Sequence, residues 1–276
     1  MIGYCLVVLI PLRKKYSDRK IIIRLRPGGK TNTMWGVFNH DELAKAEEGS
    51  VVRTHLGEEF LIFRAMLHEY VECRGEFKHV TQIIRPRDWG LIYVFADITP
   101  DSKIIEIGTG SGGILAFLAK SLRDGFIYSY EKEADRAKVA EKNLEKLSLK
   151  KNYVIKVRDV SKGVDEKNAD IVLIDTPDPW NILDTAYNLL RPGGRVVIYV
   201  PTANQIARTL EKMYSLPFVD IHIYEGFIRE IQPLPYAVRP ELKAYVFSAY
   251  IIIARKALVR PKWYDEILKE AKQLNI

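Results

Sequence analysis

Hydrophobic and polar positions fall into two textures along the chain. Up to about Thr81, short apolar runs are broken by polar turns: Leu6–Ile10, Ile21–Leu25, Met34–Phe38, Val51–Thr54 and Phe60–Arg64. With Pro27-Gly28-Gly29 as a turn between two of them, this spacing predicts a small β-rich module over residues 1–80. From Lys103 the runs become longer and β-branched and alternate with helical stretches. Strands are expected at Lys103–Gly108, Phe126–Tyr130, Tyr153–Val157, Ile171–Asp175 and Arg195–Val200, and helices at Gly112–Leu122, Ala134–Leu147, Pro179–Leu190 and Asn204–Leu216. Uninterrupted apolar strands are buried on both faces, and strand–helix alternation implies an α/β fold with a doubly wound, mainly parallel, Rossmann-like sheet. Two further runs, Phe218–Tyr224 and Ala244–Arg255, have no helix between them, which predicts an antiparallel edge hairpin closing a sheet of seven strands. This second domain covers residues 81–258. In the tail, residues 259–276, Trp263, Ile267, Leu268, Ala271 and Leu274 lie near helical spacing and predict an amphipathic helix.

Composition narrows the class. A chain of 276 residues, 47% of them hydrophobic, can bury a sizeable core, which excludes disorder as its main state. No apolar run nears the roughly 20 residues a membrane helix needs. The run Tyr4–Ile10 lacks the basic start and cleavage site of a secretion signal, so a soluble, cytoplasmic protein is expected. Cys5 and Cys73 are too few and too far apart for a zinc site or redox pair and read as buried thiols. The five His residues show no metal spacing, so no metal is expected. The net charge of +7 coincides with residues 13–30, where eight basic residues face Asp18 alone; the remainder is balanced. That segment, which includes Lys14, Lys15, Arg19 and Lys20, points to an anionic partner.

The chemistry concentrates at strand ends. Glu106-Ile107-Gly108-Thr109-Gly110-Ser111-Gly112-Gly113 follows an apolar strand and opens a helix, where glycines let backbone approach a ligand. Gly108, Gly110 and Gly113 satisfy the dinucleotide spacing, and Gly108, Gly110 and Gly112 that of methyltransferases. Glu131, ending the second strand, stands where an acidic residue binds ribose hydroxyls. The loop and this acid together indicate a nucleoside-bearing cofactor without choosing between them. Asp159, after the third strand, could reach an adenine amine. Asp175 ends the fourth strand and should face the cofactor, in a loop stiffened by Pro177 and Pro179. Asp178 is the better helix cap, and Trp180 could stack on a base or anchor the next helix.

Taken together, Gln82-Ile83-Ile84 through Pro86-Arg87-Asp88, the EIGTGSG loop, Tyr130-Glu131, DTPDPW (175–180), RPGGRVVIYVPTANQ (191–205) and the strand before Ala254-Arg255-Lys256 resemble the tRNA (adenine-N1)-methyltransferases acting at T-loop position 57 or 58. DTPDPW, close to that family's D-L-P-x-P-W, carries most of the specificity. The resemblance implies a class I methyltransferase domain behind a small β module, S-adenosylmethionine (SAM) as cofactor, a homotetramer, and an adenosine drawn out of folded tRNA. On that basis Glu106, Gly108, Thr109, Gly110, Ser111, Gly112, Glu131, Asp159 and Asp175 are the expected cofactor residues. Gln82, Arg85 and Trp180 are the expected substrate residues, and Asp175 is the expected catalytic one. Two segments depart from the family's usual pattern: Arg85 replaces Tyr or His, and Phe247-Ser248-Ala249 replaces His-Thr-Gly. Other readings are a paralogue acting on another RNA or on protein, a non-catalytic RNA-binding subunit, and a nicotinamide enzyme.

Overall fold

The computed structural model describes residues 1–3, 5–13, 19–73, 75–147, 149–233, 235–241 and 247–273. They form two compact units, Met1–His79 and Val80–Ile276.

In the first unit, β1 (Leu6–Pro11), β2 (Ile21–Arg24), β3 (Lys30–Thr33), β4 (Gly36–Asn39), α1 (His40–Lys45), β5 (Val51–Arg53), β6 (Glu59–Arg64) and α2 (Leu67–Glu72) follow in order. One antiparallel sheet runs β2-β1-β6-β5, and β3 pairs with β4. Val7, Leu9, Ile23, Phe38, Leu43, Phe60 and Ile62 form its core, with Phe38 and Trp35 both edge-on to Phe60. The run expected as a strand at Met34–Phe38 instead starts with a turn, because Gly36 takes φ +115° and Thr33 Oγ1 donates to its carbonyl. Helices α1 and α2 were not expected: at six residues each they are too short to show a helical period. His40 is held within its unit: its Nδ1 accepts from Arg26 N and its Nε2 meets Thr31 Oγ1. Both cysteines are free and half-buried. The basic segment sits among its own counter-charges, since Arg13 pairs with Glu58 and Lys20 with Glu69. Residues 1–79 hold 13 basic and 10 acidic residues and residues 80–276 hold 29 and 25, so the surplus is shared between the units as +3 and +4. Lys14 and Lys15 lie outside the described residues.

The second unit contains α3 (Pro86–Phe95), β7 (Lys103–Ile107), α4 (Gly113–Ser121), β8 (Phe126–Glu131), α5 (Ala134–Leu144), β9 (Tyr153–Val157), β10 (Ala169–Ile174), α6 (Leu183–Leu189), β11 (Leu190–Val200), α7 (Ala203–Tyr214), β12 (Phe218–Glu225), β13 (Ile231–Gln232), β14 (Arg239–Pro240), β15 (Tyr250–Lys256) and α8 (Tyr264–Gln273). Its seven-stranded sheet has the order β12-β15-β11-β10-β7-β8-β9. Neighbours from β11 to β9 are parallel, and β15 alone runs against the rest, inserted between β11 and β12. Strand order reverses between β7 and β10, which opens a crevice at their carboxyl ends. The central strands β7 and β10 are almost wholly buried, whereas edge strand β12 alternates with solvent. The long helix expected over Pro179–Leu190 is split, with a 3-10 turn at Pro179–Asn181 ahead of α6. Helix α3 opens at Pro86, a position that needs no backbone N–H, with Arg85 as its N-cap. In the C-terminal helix Tyr264, not Trp263, is the seat. Tyr264 is buried and donates to Phe218 O, while Trp263 is exposed. Among the described residues, no helix is long and apolar enough to cross a membrane.

Glu106, in the middle of the sheet, is completely buried; Ser129 Oγ donates to its Oε2, and Oε1 has no hydrogen-bond partner. Burial chiefly, with the Asp175 and Glu131 charges adding, pushes this carboxyl from the usual 4.5 to about 8. The folded protein therefore keeps a proton that the unfolded chain releases. Stability contributed by this group is complete below about pH 4.5 and is lost as pH rises through 8, at up to about 1.4 kcal/mol per pH unit. Glu106→Gln should flatten the fall in stability between those values, as measured by chemical denaturation across pH.

Candidate functional site

The crevice at the switch point holds a cavity of about 470 Å³, walled by the ends of β7, β8, β9, β10 and β11. Gly108 and Gly110 come from the loop after β7, and Tyr130, Glu131 and Lys132 from the end of β8. Arg158, Asp159 and Val160 follow β9, and Asp175 to Asp178 follow β10. Thr81 and Gln82 lie on the entry to α3; Tyr199 belongs to β11, Gln205 to α7 and Pro201 to the turn between them.

The strand ends are stitched together by backbone hydrogen bonds. Gly108 N and Thr109 N both donate to Tyr130 O, and Asp175 N donates to Ile107 O at 2.9 Å. Gly108 has φ +99°, and a Cβ there would stand 2.1 Å from the Asp175 carbonyl oxygen, so only glycine allows this approach. Glu131 is buried, and both carboxylate oxygens are oriented by backbone, Oε2 accepting from Gly110 N (3.0 Å) and Oε1 from Glu133 N (3.1 Å). Lone pairs remain on both oxygens for hydroxyl donors. Asp159 accepts from Ser161 N and Oγ, and that hydroxyl above all holds its carboxyl below the ordinary range. Asp175 is half-buried in the wall; loss of solvent, with the Glu131 charge adding, pushes it up to about 7. Its loop is braced from α7, where Gln205 Nε2 donates to Pro177 O at 2.9 Å.

Of the expected cofactor residues, the structure therefore gathers Gly108, Gly110, Glu131, Asp159 and Asp175 on one cavity. The other four stand behind the loop, outside the cavity wall. Glu106, Ser129 and Thr109 form a buried hydrogen-bonded chain beneath it. Ser111 Oγ accepts from Val80 N, and its carbonyl accepts from Asn143. Gly112, at φ +81°, caps α4 and leaves room for α5, since a Cβ would meet Leu144 at 2.5 Å. The side chains of Glu106, Thr109 and Ser111 thus hold the loop from behind. Of the expected substrate residues, Gln82 lines the cavity, while Arg85 sits at the N-cap of α3 and Trp180 in the 3-10 turn, both off its wall. One face of Trp180 is taken by the Arg208 guanidinium, 4.4 Å from the ring centre, which ties the turn to α7. Asp178 occupies the cap position but makes no side-chain capping bond. Tyr130, Arg158 and Tyr199 are cavity residues absent from the sequence expectations; only a strand-end position beside a motif could have marked them. Among the described residues, no group of His, Cys, Asp or Glu is arranged to hold a metal ion.

One backbone-oriented carboxylate and two further acids on one cavity, with no basic phosphate cradle in the glycine loop, suit a nucleoside-bearing, non-phosphorylated cofactor. Comparison with known proteins agrees. Residues 74–240 match the family described as "tRNA methyltransferase complex GCD14 subunit", and residues 16–52 match "TrmI-like N-terminal". The tRNA (adenine(57)-N(1)/adenine(58)-N(1))-methyltransferase TrmI of Methanocaldococcus jannaschii is 30% identical over 78% of this chain and 84% of its own. The tRNA (adenine(58)-N(1))-methyltransferase TrmI of Thermus thermophilus is 28% identical over 89% and 96%. Two solved structures superpose over almost the whole length. A SAM-dependent O-methyltransferase of Thermotoga maritima has TM-score 0.86, 33% identity and coverage of 95% and 96%. The tRNA (m1A58) methyltransferase TrmI of Aquifex aeolicus has TM-score 0.81, 26% identity and coverage of 94% and 99%. From the switch-point cavity and these matches, the chain belongs to the tRNA methyltransferase family of the GCD14 subunit, with a TrmI-like N-terminal region.

Proposed function

We propose that the protein transfers a methyl group from SAM to N1 of an adenine in the tRNA T-loop, at position 57 or 58. The observation that carries this reading is the placement of Asp175 at the switch point of the sheet, in the same cavity as the oriented Glu131. The cavity suits the cofactor: Glu131 has lone pairs for ribose hydroxyls, Gly108 and Gly110 keep side chains out of its floor, Asp159 would accept from the adenine amine, and the three carboxylates suit a cation. When bound, SAM supplies an electrophilic methyl on a sulfonium. Adenine N1 has an in-plane lone pair and needs no base to remove a proton, so the protein's task is alignment and charge. Asp175, ionised, accepts from the adenine N6 amino group and stabilises the positive charge that grows on the base more than the neutral ground state. Braced by Gln205, the Pro177 loop keeps that carboxylate in place. Because N1 lies on the Watson–Crick edge, the base enters unstacked.

The description of the Thermotoga relative as an O-methyltransferase marks a second acceptor class, a hydroxyl. A hydroxyl would have to lose its proton, and Asp175, pushed up to about 7, is the group that could take it. Nucleoside analysis after methylation of unmodified tRNA with labelled SAM separates the two: 1-methyladenosine is expected, and a ribose- or other O-methylated product in its place overturns the adenine reading. The first unit is read as the RNA-gripping module, and the exposed Ile223, Phe227, Ile228, Ile231, Tyr236 and Val238 on and beyond edge strand β12 as a self-association face of a cytoplasmic homotetramer.

Asp175→Ala should lower kcat by about a hundredfold or more while SAM still binds by calorimetry; in the wild type kcat/KM should rise with pH to a plateau above about 7, since the ionised carboxylate is the working form. Neutralising Lys14, Lys15, Arg19 and Lys20 should weaken tRNA binding and flatten its salt dependence by about one unit of slope per lost phosphate contact, with cofactor affinity unchanged. Light scattering should return the mass of four chains, and a stable monomer would remove the self-association face.

A further inference from the structure

The two segments that depart from the family's usual residues meet at one buried carboxylate. Asp88, in the first turn of α3, is completely buried. Tyr199 of β11 donates its hydroxyl to Asp88 Oδ2 at 2.8 Å, and Ser248, two residues before β15, donates to the same oxygen at 2.6 Å. Asp88 Oδ1 has no hydrogen-bond partner, and Arg87 Nε is 3.9 Å from it. Burying a carboxylate with such thin compensation costs stability, and an apolar residue would pack there at lower cost. Tyr199, unlike Asp88 and Ser248, lines the cavity, close enough to Asp175 for the two to interact electrostatically.

We propose that Asp88 and Ser248 are positioning residues for the methyl transfer: Asp88, itself held by the Ser248 hydroxyl, keeps Tyr199 against the reacting end of the cavity and accepts the hydrogen bond from its hydroxyl, so that the phenol oxygen can only accept. The inference rests on the adenine-N1 reading. A phenol free to turn its O–H into the cavity could donate to adenine N1 and occupy the lone pair that attacks. With that proton committed to Asp88, the phenol oxygen tolerates only donors, such as the N6 amino group, and N1 is left open. Burial first, with the Asp88 and Asp175 charges and the bond to Asp88 adding to it, raises the Tyr199 hydroxyl well above its usual range, so it stays protonated and the bond persists at working pH. The Phe247-Ser248-Ala249 departure thus keeps a hydroxyl at its middle position, and Arg85-Pro86-Arg87-Asp88 keeps the acid that receives it.

The test is a double-mutant cycle on methylation of unmodified tRNA. Asp88→Asn should lower kcat by about tenfold or more, with KM for tRNA and calorimetric affinity for SAM within about twofold. Ser248→Ala should cause a smaller fall, and Ser248→Thr should restore the rate. In a Tyr199→Phe background, Asp88→Asn should cost less than a further twofold, because the hydroxyl it acts through is gone. Losses that multiply in that background, or a Ser248→Thr variant no better than Ser248→Ala, would overturn the proposal. Should Asp88→Asn not fold, the Ser248 pair read with and without Tyr199→Phe gives the same cycle. A wild type that makes no 1-methyladenosine would overturn the functional reading itself, a result distinct from an active wild type with multiplying losses.

Discussion

At the switch point of the sheet the backbone of Gly108 lies so near the Asp175 carbonyl that no side chain fits between them. The hydrogen bond from Asp175 N to Ile107 O joins the same two strand ends. One strand end carries the glycine loop and through it the orientation of Glu131; the other carries the Asp175 carboxylate. The glycine loop and the Asp175 carboxylate are therefore fixed by the same pair of strand ends, and a shift there would move both at once. The chain from Glu106 through Ser129 to Thr109 supports the loop from below, and Gln205 braces the Pro177 loop from the side. Each stiffens a geometry that the glycine approach sets.

Much of this was legible in the residues because each signal was local. Apolar β-branched runs located β7 to β11, and acids at strand ends marked Glu131, Asp159 and Asp175. What was not legible depended on direction. The glycine loop turns with three positive-φ glycines, so Thr109, Ser111 and Gly112 are adjacent to the cavity in sequence yet meet the packing behind it. Trp180 shows the same limit: its stacking partner, Arg208, lies on α7, and no spacing rule links the two. Tyr199 was hidden inside an apolar strand, where a tyrosine reads as core until the buried acid that receives its hydroxyl is known.

Charge was the feature least faithfully carried by position in the chain. A run of eight basic residues beside one acidic residue looks like a concentrated patch, but a small antiparallel sheet brings distant segments alongside it. Glu58 and Glu69 come back onto that segment, so part of its field is neutralised within its own unit. Paired basic residues keep their hydrogen-bond donors, and an RNA phosphate would have to compete with a carboxylate for them.

The insertion of β15 between β11 and β12 also has a consequence for how the protein is made. As the chain leaves the ribosome, β12 emerges with no neighbour to pair with, because the strand that joins it to the sheet lies some 25 residues further on. Until then the growing sheet ends at β11 with an open edge. Ser248 arrives with that last strand and is 160 residues from the Asp88 it bonds. Contacts so distant in sequence form late. The wall of the cavity that contains Tyr199 is thus completed near the end of synthesis, after the wall made by the ends of β7 and β8.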